Sequence, residues 1–130
     1  MIKFRYTIFY VQEVESALSF YEHVFDFQRK FIAPDGSYGE LITGETTLSF
    51  ASLELAKTNL AKEFIESNPR NKPFAMEIGF TTLEVDALVA KAVKAGATLV
   101  APSSIKPWGQ TVAYVRDPNG FLVEICTPMS

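Results

Sequence analysis

The order of apolar patterns along the chain constrains its fold most, because one series of patterns occurs twice. Each half has a strand-like run, then an amphipathic helical pattern, then three more short strand-like runs. In the first half we expect a strand over residues 4–11, a helix over the stripe from Val14 to Phe25, and strands over residues 28–33, 38–43 and 46–51.

The second half repeats the series, with strands expected over residues 74–81, 97–101, 111–116 and 121–127. Its helix carries an apolar stripe from Val85 to Val93 and should end at Gly96, because glycine tolerates the backbone of a helix C-terminus. Tyr6 precedes Val14 by eight positions, and Glu77 precedes Val85 by the same eight. We therefore predict an α+β fold of two βαβββ modules with a concave ligand cup; the alternative is an ordinary α+β sandwich without the repeat.

The length of 130 residues, of which 48% are hydrophobic, suits one well-buried domain. We expect module one over residues 1–52 and module two over residues 74–130. Between them, residues 53–67 form an amphipathic or irregular helical pattern, and residues 68–73 contain two prolines typical of a linker.

Charge and hydropathy argue against two classes of partner. The net charge is -3 and the basic residues are scattered, so a nucleic-acid partner is not expected. The chain shows no signal-peptide pattern and no apolar segment long enough to span a bilayer, which predicts a soluble, cytoplasmic protein with no membrane partner. The single cysteine, Cys126, excludes an internal disulfide and fits a reducing compartment.

Strand parity identifies the residues that project away from the helix of each module, since successive side chains alternate between the two faces of a strand. In module two these residues include Glu77 and Glu124, and a carboxylate within an apolar strand is costly to bury unless it is paired. In module one the corresponding positions are Tyr6 and Ser49. Module one is thus expected to offer hydroxyl groups and module two carboxylates.

The same faces carry aromatic and apolar side chains, a mixture that is common in ligand pockets. An alternative for the aromatic residues is ordinary core or interface packing. The predicted ligand-binding set is Tyr6, Ile8, Tyr10, Ser49, Trp108, Gln110, Val112 and Tyr114.

Several stretches together resemble the vicinal oxygen chelate superfamily, which includes glyoxalase I, extradiol dioxygenases, and the fosfomycin-resistance and bleomycin-resistance proteins. They are YTIFYV at 6–11, EIGF at 77–80, KAGA at 94–97, PWGQ at 107–110 and RDPNGFLVEI at 116–125, and the last is the most specific. The resemblance covers nearly the whole chain. It implies a paired βαβββ fold, usually a homodimer, with ligand sites in the cups of the sheets.

Metal-dependent members of that superfamily use four ligands drawn from His, Gln and Glu. The matching positions here are Tyr6, Ser49, Glu77 and Glu124, of which only Glu124 is a usual ligand. The basic residue of glutathione-handling relatives is replaced by Tyr10. We therefore expect no metal or other cofactor; if a divalent cation (Mn, Mg, Fe, Ni or Zn) binds weakly, Glu77 and Glu124 would hold it, and two carboxylates suit Mg²⁺ or Mn²⁺ best.

The resemblance is closest to the metal-free bleomycin-resistance proteins. It implies a small-molecule binding protein that holds an apolar or aromatic ligand for sequestration or resistance. The alternative is a metal-dependent lyase, isomerase or dioxygenase acting on vicinal oxygens, with Glu124 and Glu77 as catalytic residues. If those carboxylates lie close together, repulsion will raise the pKa of one. The alternative is that both lie at a wet cup rim, solvated or bonded to the hydroxyls of Tyr6, Ser49 or Thr81. A structural or regulatory subunit is a third hypothesis.

Overall fold

The computed structural model describes residues 1–129, which form two compact units, Met1–Glu66 and a second that begins at Ser67. Unit 1 contains β1 (Tyr6–Val11), α1 (Val14–Phe25), β2 (Gln28–Ile32), β3 (Tyr38–Ile42), β4 (Thr47–Ser52) and α2 (Leu53–Leu60). Unit 2 contains β5 (Ile78–Thr81), α3 (Val85–Lys94), β6 (Thr98–Ile105), β7 (Thr111–Arg116) and β8 (Leu122–Cys126).

Both units have the same mixed four-stranded sheet. The strand order is β1-β4-β3-β2 in unit 1 and β5-β8-β7-β6 in unit 2. In each sheet the first and last strands of the module pair in parallel and the other neighbours are antiparallel. The predicted α+β fold of two βαβββ modules is confirmed, and a sandwich without the repeat is excluded.

Helix α1 packs on unit 1 through aromatic contacts and one close backbone approach. The ring of Tyr21 lies 5.4 Å from that of Phe50, which meets Phe9 edge-on at 6.1 Å. A Cβ at Gly39 would come within 2.6 Å of Leu18 Cδ1, so the absence of a side chain there lets the helix approach β3. These contacts fix which face of the sheet is covered by α1.

Helix α3 covers unit 2 with smaller side chains and ends as its sequence predicts. Val85 and Ala92 are buried against strands whose residues Val115 and Val123 are fully enclosed. At the C-terminus Gly96 adopts a φ of 115°, with its N–H bonded to Val93 and that of Ala97 to Ala92. This pair of bonds is a Schellman motif, which satisfies carbonyls that the helix leaves unpaired.

Several boundaries differ from the predicted ones. Helix α2 ends at Leu60 instead of continuing towards residue 67, because Ala61 is left-handed and bonds back to Lys57. Strand β5 begins only at Ile78, the first residue paired with β8. Strand β6 continues to residue 105 through Pro102, and this edge strand tolerates the missing N–H.

Arg116 is the main buried cation of unit 2 and connects its first segment to a turn. Its guanidinium donates to the carbonyls of Asn68 at 3.0 Å, Pro69 at 3.2 Å, Asn71 at 2.6 Å and Gly120 at 2.9 Å. These bonds offset the cost of burying the charge and fasten the segment before β5 to the turn between β7 and β8.

None of the helices within residues 1–129 is long and apolar enough to cross a bilayer.

Candidate functional site

The side of the unit 2 sheet turned away from α3, here called the distal face of unit 2, carries a row of polar and apolar groups. Tyr114 pairs with Glu124 across β7 and β8, and Val112 pairs with Cys126. Gly79 lies beside Glu124 on the other side, and a Cβ there would approach nothing nearer than Glu124 Cβ at 4.0 Å. Parity therefore assigned these residues to the correct face, although their roles in ligand binding stay predictions.

Glu77 and Glu124 lie close enough for their carboxyl groups to interact. From the sequence alone, their proximity could not be predicted. Burial raises the pKa of Glu77, and the adjacent charge of Glu124 and a hydrogen bond between the two carboxyl groups raise it further. The phenol of Tyr114 donates to Glu124 Oε1 over 3.1 Å. The arrangement is a carboxyl pair that retains a proton more readily than an isolated glutamate would.

Cys126 lies on the same face but is poorly suited to nucleophilic chemistry. Burial raises the pKa of its thiol to about 11, and a hydrogen bond and the charge of Glu124 act in the same direction. The reactive form of cysteine is the thiolate. The thiol is therefore neutral near pH 7 and serves as a small apolar group.

Gln110 and Trp108 form a connected pair at the start of β7. The indole N–H of Trp108 donates to Gln110 Oε1 over 2.7 Å, and Gln110 Nε2 donates to the carbonyl of Thr127 over 2.7 Å. Both ends of the Gln110 amide are thus engaged. Trp108 itself is 61% exposed, so the amide holds an open aromatic surface in place.

The corresponding side of unit 1, turned away from α1 and here called the distal face of unit 1, holds the predicted module-one residues. Tyr6 pairs with Thr47, Ile8 with Ser49 and Tyr10 with Ala51 across parallel strands, so all six side chains share one face. Tyr6 is 50% exposed, whereas the ring of Tyr10 lies 5.0 Å from that of Phe64. Whether these residues contact a ligand stays a prediction.

Glu40 was not anticipated, and it adds a carboxyl group to the face on which module one was expected to offer the hydroxyl groups of Tyr6 and Ser49. It pairs with Ser49 across β3 and β4, is only 7% exposed, and accepts a 2.7 Å hydrogen bond from the phenol of Tyr38. Lys30 Nζ lies 3.8 Å from its other oxygen, Oε1. Parity along residues 38–42 was the available signal, but it locates Glu40 beside Ser49 only once the strand register is known.

Ser49 is fully enclosed and its Oγ has no hydrogen-bond partner among the described residues. Burial raises the pKa of Tyr38 to about 12, the nearby Ser49 hydroxyl opposes that rise, and the bond to Glu40 adds to it. Ser49 thus lies beside the phenol without a hydrogen bond of normal geometry. An unsatisfied buried hydroxyl costs about 1–3 kcal/mol, so its retention calls for a reason.

The donor set does not fit a transition-metal site. Within residues 1–129 no group of three or more His, Cys, Asp or Glu side chains could hold a metal ion. The carboxyl pair of unit 2 supplies two oxygen ligands, and Tyr114 occupies one oxygen of Glu124. Transition-metal sites generally use three or four protein ligands, with nitrogen or sulfur among them.

Comparisons with known proteins agree with this architecture. A glyoxalase-related enzyme from Fulvimarina pelagi superposes with a TM-score of 0.85 at 19% identity, over 98% of this chain and 89% of its own. A glyoxalase/bleomycin resistance protein/dioxygenase family enzyme from Burkholderia phytofirmans PsJN gives 0.74 at 25% identity, over 95% and 97%. A superfamily member from Sphaerobacter thermophilus DSM 20745 gives 0.73 at 17% identity, over 98% of both chains.

Among curated proteins, none matches the sequence significantly. The sequence profile of one family matches residues 3–125, which include every strand and helix of both units except the last residue of β8. With two βαβββ modules in the matched region, the chain belongs to the Glyoxalase/Bleomycin resistance protein/Dioxygenase superfamily.

Proposed function

We propose that the protein binds a small apolar or aromatic molecule on the distal face of unit 2, and that Glu77 and Glu124 receive a cationic or hydrogen-bond-donating group of that molecule. The carboxyl pair is the observation that carries the proposal. Two carboxylates held together repel each other, and the repulsion is relieved either by a proton or by a positively charged ligand.

The residues around the pair suit a flat ligand body. Tyr114 provides aromatic surface next to Glu124, and Trp108 presents an exposed ring that Gln110 holds in place, whereas Val112 is buried beneath this face. Aromatic faces stack on planar ligands and attract cations. We therefore propose that Gln110 acts by positioning Trp108 and not by direct contact with the ligand.

A role in sequestration or resistance belongs to this proposal, since one branch named in the superfamily description comprises bleomycin resistance proteins. A homodimer is part of the same proposal. A metal-dependent lyase, isomerase or dioxygenase finds less support, because residues 1–129 contain no group of three or more His, Cys, Asp or Glu side chains that could hold a metal ion.

The test is a calorimetric titration with 1-naphthylmethylammonium and its uncharged analogue 1-naphthylmethanol, alongside quenching of Trp108, the only tryptophan. We expect the ammonium compound to bind more tightly, and the Glu124→Gln variant to lose at least tenfold in affinity for it. The Glu63→Gln variant, which changes an exposed carboxylate of unit 1, is the control. Equal affinity for both compounds in wild type, or an unchanged affinity in Glu124→Gln, would contradict the proposal.

A further inference from the structure

The turn between β7 and β8 contains the only asparagine–glycine sequence of the chain, Asn119-Gly120. Asparagine is chemically labile, and a following glycine leaves its backbone nitrogen open to approach, because it has no side chain. In an unfolded chain this pair is therefore the one most prone to deamidation.

Deamidation proceeds through a cyclic imide. The Gly120 nitrogen forms a bond to Asn119 Cγ, and the side-chain amide leaves as ammonia with the proton that the Gly120 nitrogen gives up. Water then opens the ring at either of its C–N bonds. Cleavage between the nitrogen and Cγ leaves aspartate, whereas cleavage at the main-chain carbonyl leaves isoaspartate, whose main chain runs through Cγ. The ring can form only if the Gly120 N–H is released and the peptide between the two residues rotates.

The bonds of the folded turn hold that peptide in place. Gly120 N–H donates to the carbonyl of Asp117 over 2.8 Å, and Asn119 N–H donates to Asp117 Oδ1 over 2.9 Å. Asp117 is only 1% exposed, so water competes poorly for these bonds. The attacking nitrogen is thus engaged as a donor on the side away from the asparagine amide.

A second layer of contacts closes over the turn. The carbonyl of Gly120 accepts a bond from Arg116 Nε over 2.9 Å, and the same guanidinium holds the carbonyls of Asn68 and Pro69. A Cβ on Gly120 would lie 2.7 Å from backbone atoms of Asn68 and Pro69. Rotation of the peptide would therefore have to break the Arg116 bond and push the segment before β5 aside.

We propose that Asn119 is a latent deamidation site, which the folded turn keeps closed, which opens when the Arg116 anchor is released, and whose modification prevents the turn from closing again. Aspartate at this position sets a second carboxylate beside the buried Asp117, and burying an unpaired charge is costly. Isoaspartate adds a methylene to the main chain of the turn and moves the Gly120 nitrogen away from the Asp117 carbonyl.

Asp35→Asn creates a matched site, because the turn between β2 and β3 also has proline second and glycine fourth. Gly36 N–H donates to the carbonyl of Ala33 over 2.8 Å, but no described atom lies within 4 Å of a Cβ placed on Gly36. The folded full-length variant is incubated at mildly alkaline pH, and peptide mapping by mass spectrometry measures deamidation at both positions. We expect position 35 to react at least tenfold faster than Asn119, and the two rates to converge in urea. Equal rates in the folded chain would overturn the proposal.

Arg116→Met tests the anchor in the Asp35→Asn background. Deamidation at Asn119 should accelerate at least tenfold while position 35 is unchanged; an unchanged rate at Asn119 in a folded variant overturns the proposal. If the variant does not fold, the comparison of the two positions in Asp35→Asn alone decides.

Ageing in urea tests the final step. The refolding yield of wild type should fall in proportion to the isoaspartate and aspartate formed at residue 119, whereas Asn119→Ser aged alongside should refold fully. Recovery of modified chains with the stability of unmodified ones would contradict the proposal.

Discussion

Tyr114 and Glu124 stand opposite each other on neighbouring strands, and the phenol donates to Glu124 Oε1 over 3.1 Å. The bond orients the carboxylate with which Glu77 interacts. Burial and the charge of Glu124 raise the pKa of Tyr114, so the phenol remains a donor throughout the neutral range. The carboxyl pair is therefore held from one side by a group that does not titrate with it.

Ligand affinity should depend on pH in a direction set by Glu77. The pKa of Glu77 is raised above its ordinary value of 4.5, so at low pH the pair holds a proton that a cation must displace. We expect 1-naphthylmethylammonium to bind more tightly as the pH rises through the raised pKa, and binding below it to release protons. Calorimetry in two buffers of different ionisation enthalpy measures that release; a pH-independent affinity would show that the pair is not the contact.

The contribution of Glu77 to the free energy of unfolding should fall as the pH rises, whereas ligand affinity should increase. A carboxyl with a raised pKa binds protons more strongly in the folded than in the unfolded state, so its contribution is fully present below pH 4.5 and is lost as the pH rises through the folded value. The free energy of unfolding of Glu77→Gln should therefore fall less with rising pH than that of wild type. Urea denaturation across this range measures the difference, and Glu63→Gln should follow wild type.

Cys126 should resist alkylation at neutral pH. Its thiol is buried and its pKa is raised to about 11, so the thiolate fraction is small at pH 7 and grows only as the pH approaches that value. We expect iodoacetamide to react much more slowly than with a free cysteine at pH 8. Glu124→Gln should accelerate the reaction, because the neighbouring charge that disfavours the thiolate is removed. A rate in wild type equal to that of free cysteine would contradict the assignment of Cys126 as a buried, neutral thiol.

Gly120 should tolerate a methyl group far less well than Gly109. Both have positive φ angles, 92° and 99°, so alanine at either site pays about 1–2 kcal/mol in backbone strain. At Gly120 the new Cβ would also lie 2.7 Å from backbone atoms of Asn68 and Pro69, whereas at Gly109 nothing lies within 4 Å. This overpacking should add about 1–3 kcal/mol to the destabilisation of the Gly120→Ala variant. Urea denaturation of the two alanine variants measures the difference. Equal destabilisation would show that the backbone at Asn68 and Pro69 moves aside without an energetic cost.

The sequence supports the prediction of the fold because each module contains long patterns with a clear period and recognisable ends. Gly96 ends α3 where glycine is expected, whereas Ala61 ends α2 with a left-handed residue that composition does not mark. A left-handed alanine is unfavourable in isolation and is maintained here by its surroundings. A helix end that is marked by a glycine can therefore be predicted from the sequence, whereas a helix end that is imposed by packing cannot.

In the candidate sites, likewise, the face on which a residue lies could be predicted from its own strand, but its contacts across strands could not. Parity placed Glu124 and Tyr114 on one face, but the hydrogen bond between them and the approach of Glu77 depend on distances across strands. Glu40 escaped notice because its importance arises from its partner, Ser49, and that pairing depends on the register of β3 with β4. Register is fixed by the folded sheet and its turns, not by the alternation within one strand.

The bonds from Arg116 to the carbonyls of residues 68–71 join positions 45 to 48 residues apart in the chain. During synthesis, which proceeds from the N-terminus, the segment before β5 leaves the ribosome well before its guanidinium anchor exists. Unit 1 has by then been translated in full, and its four strands need nothing from the later chain for their pairing. The strands of unit 1 can therefore pair as they emerge, whereas β5 has no partner in its sheet until β8 has been made.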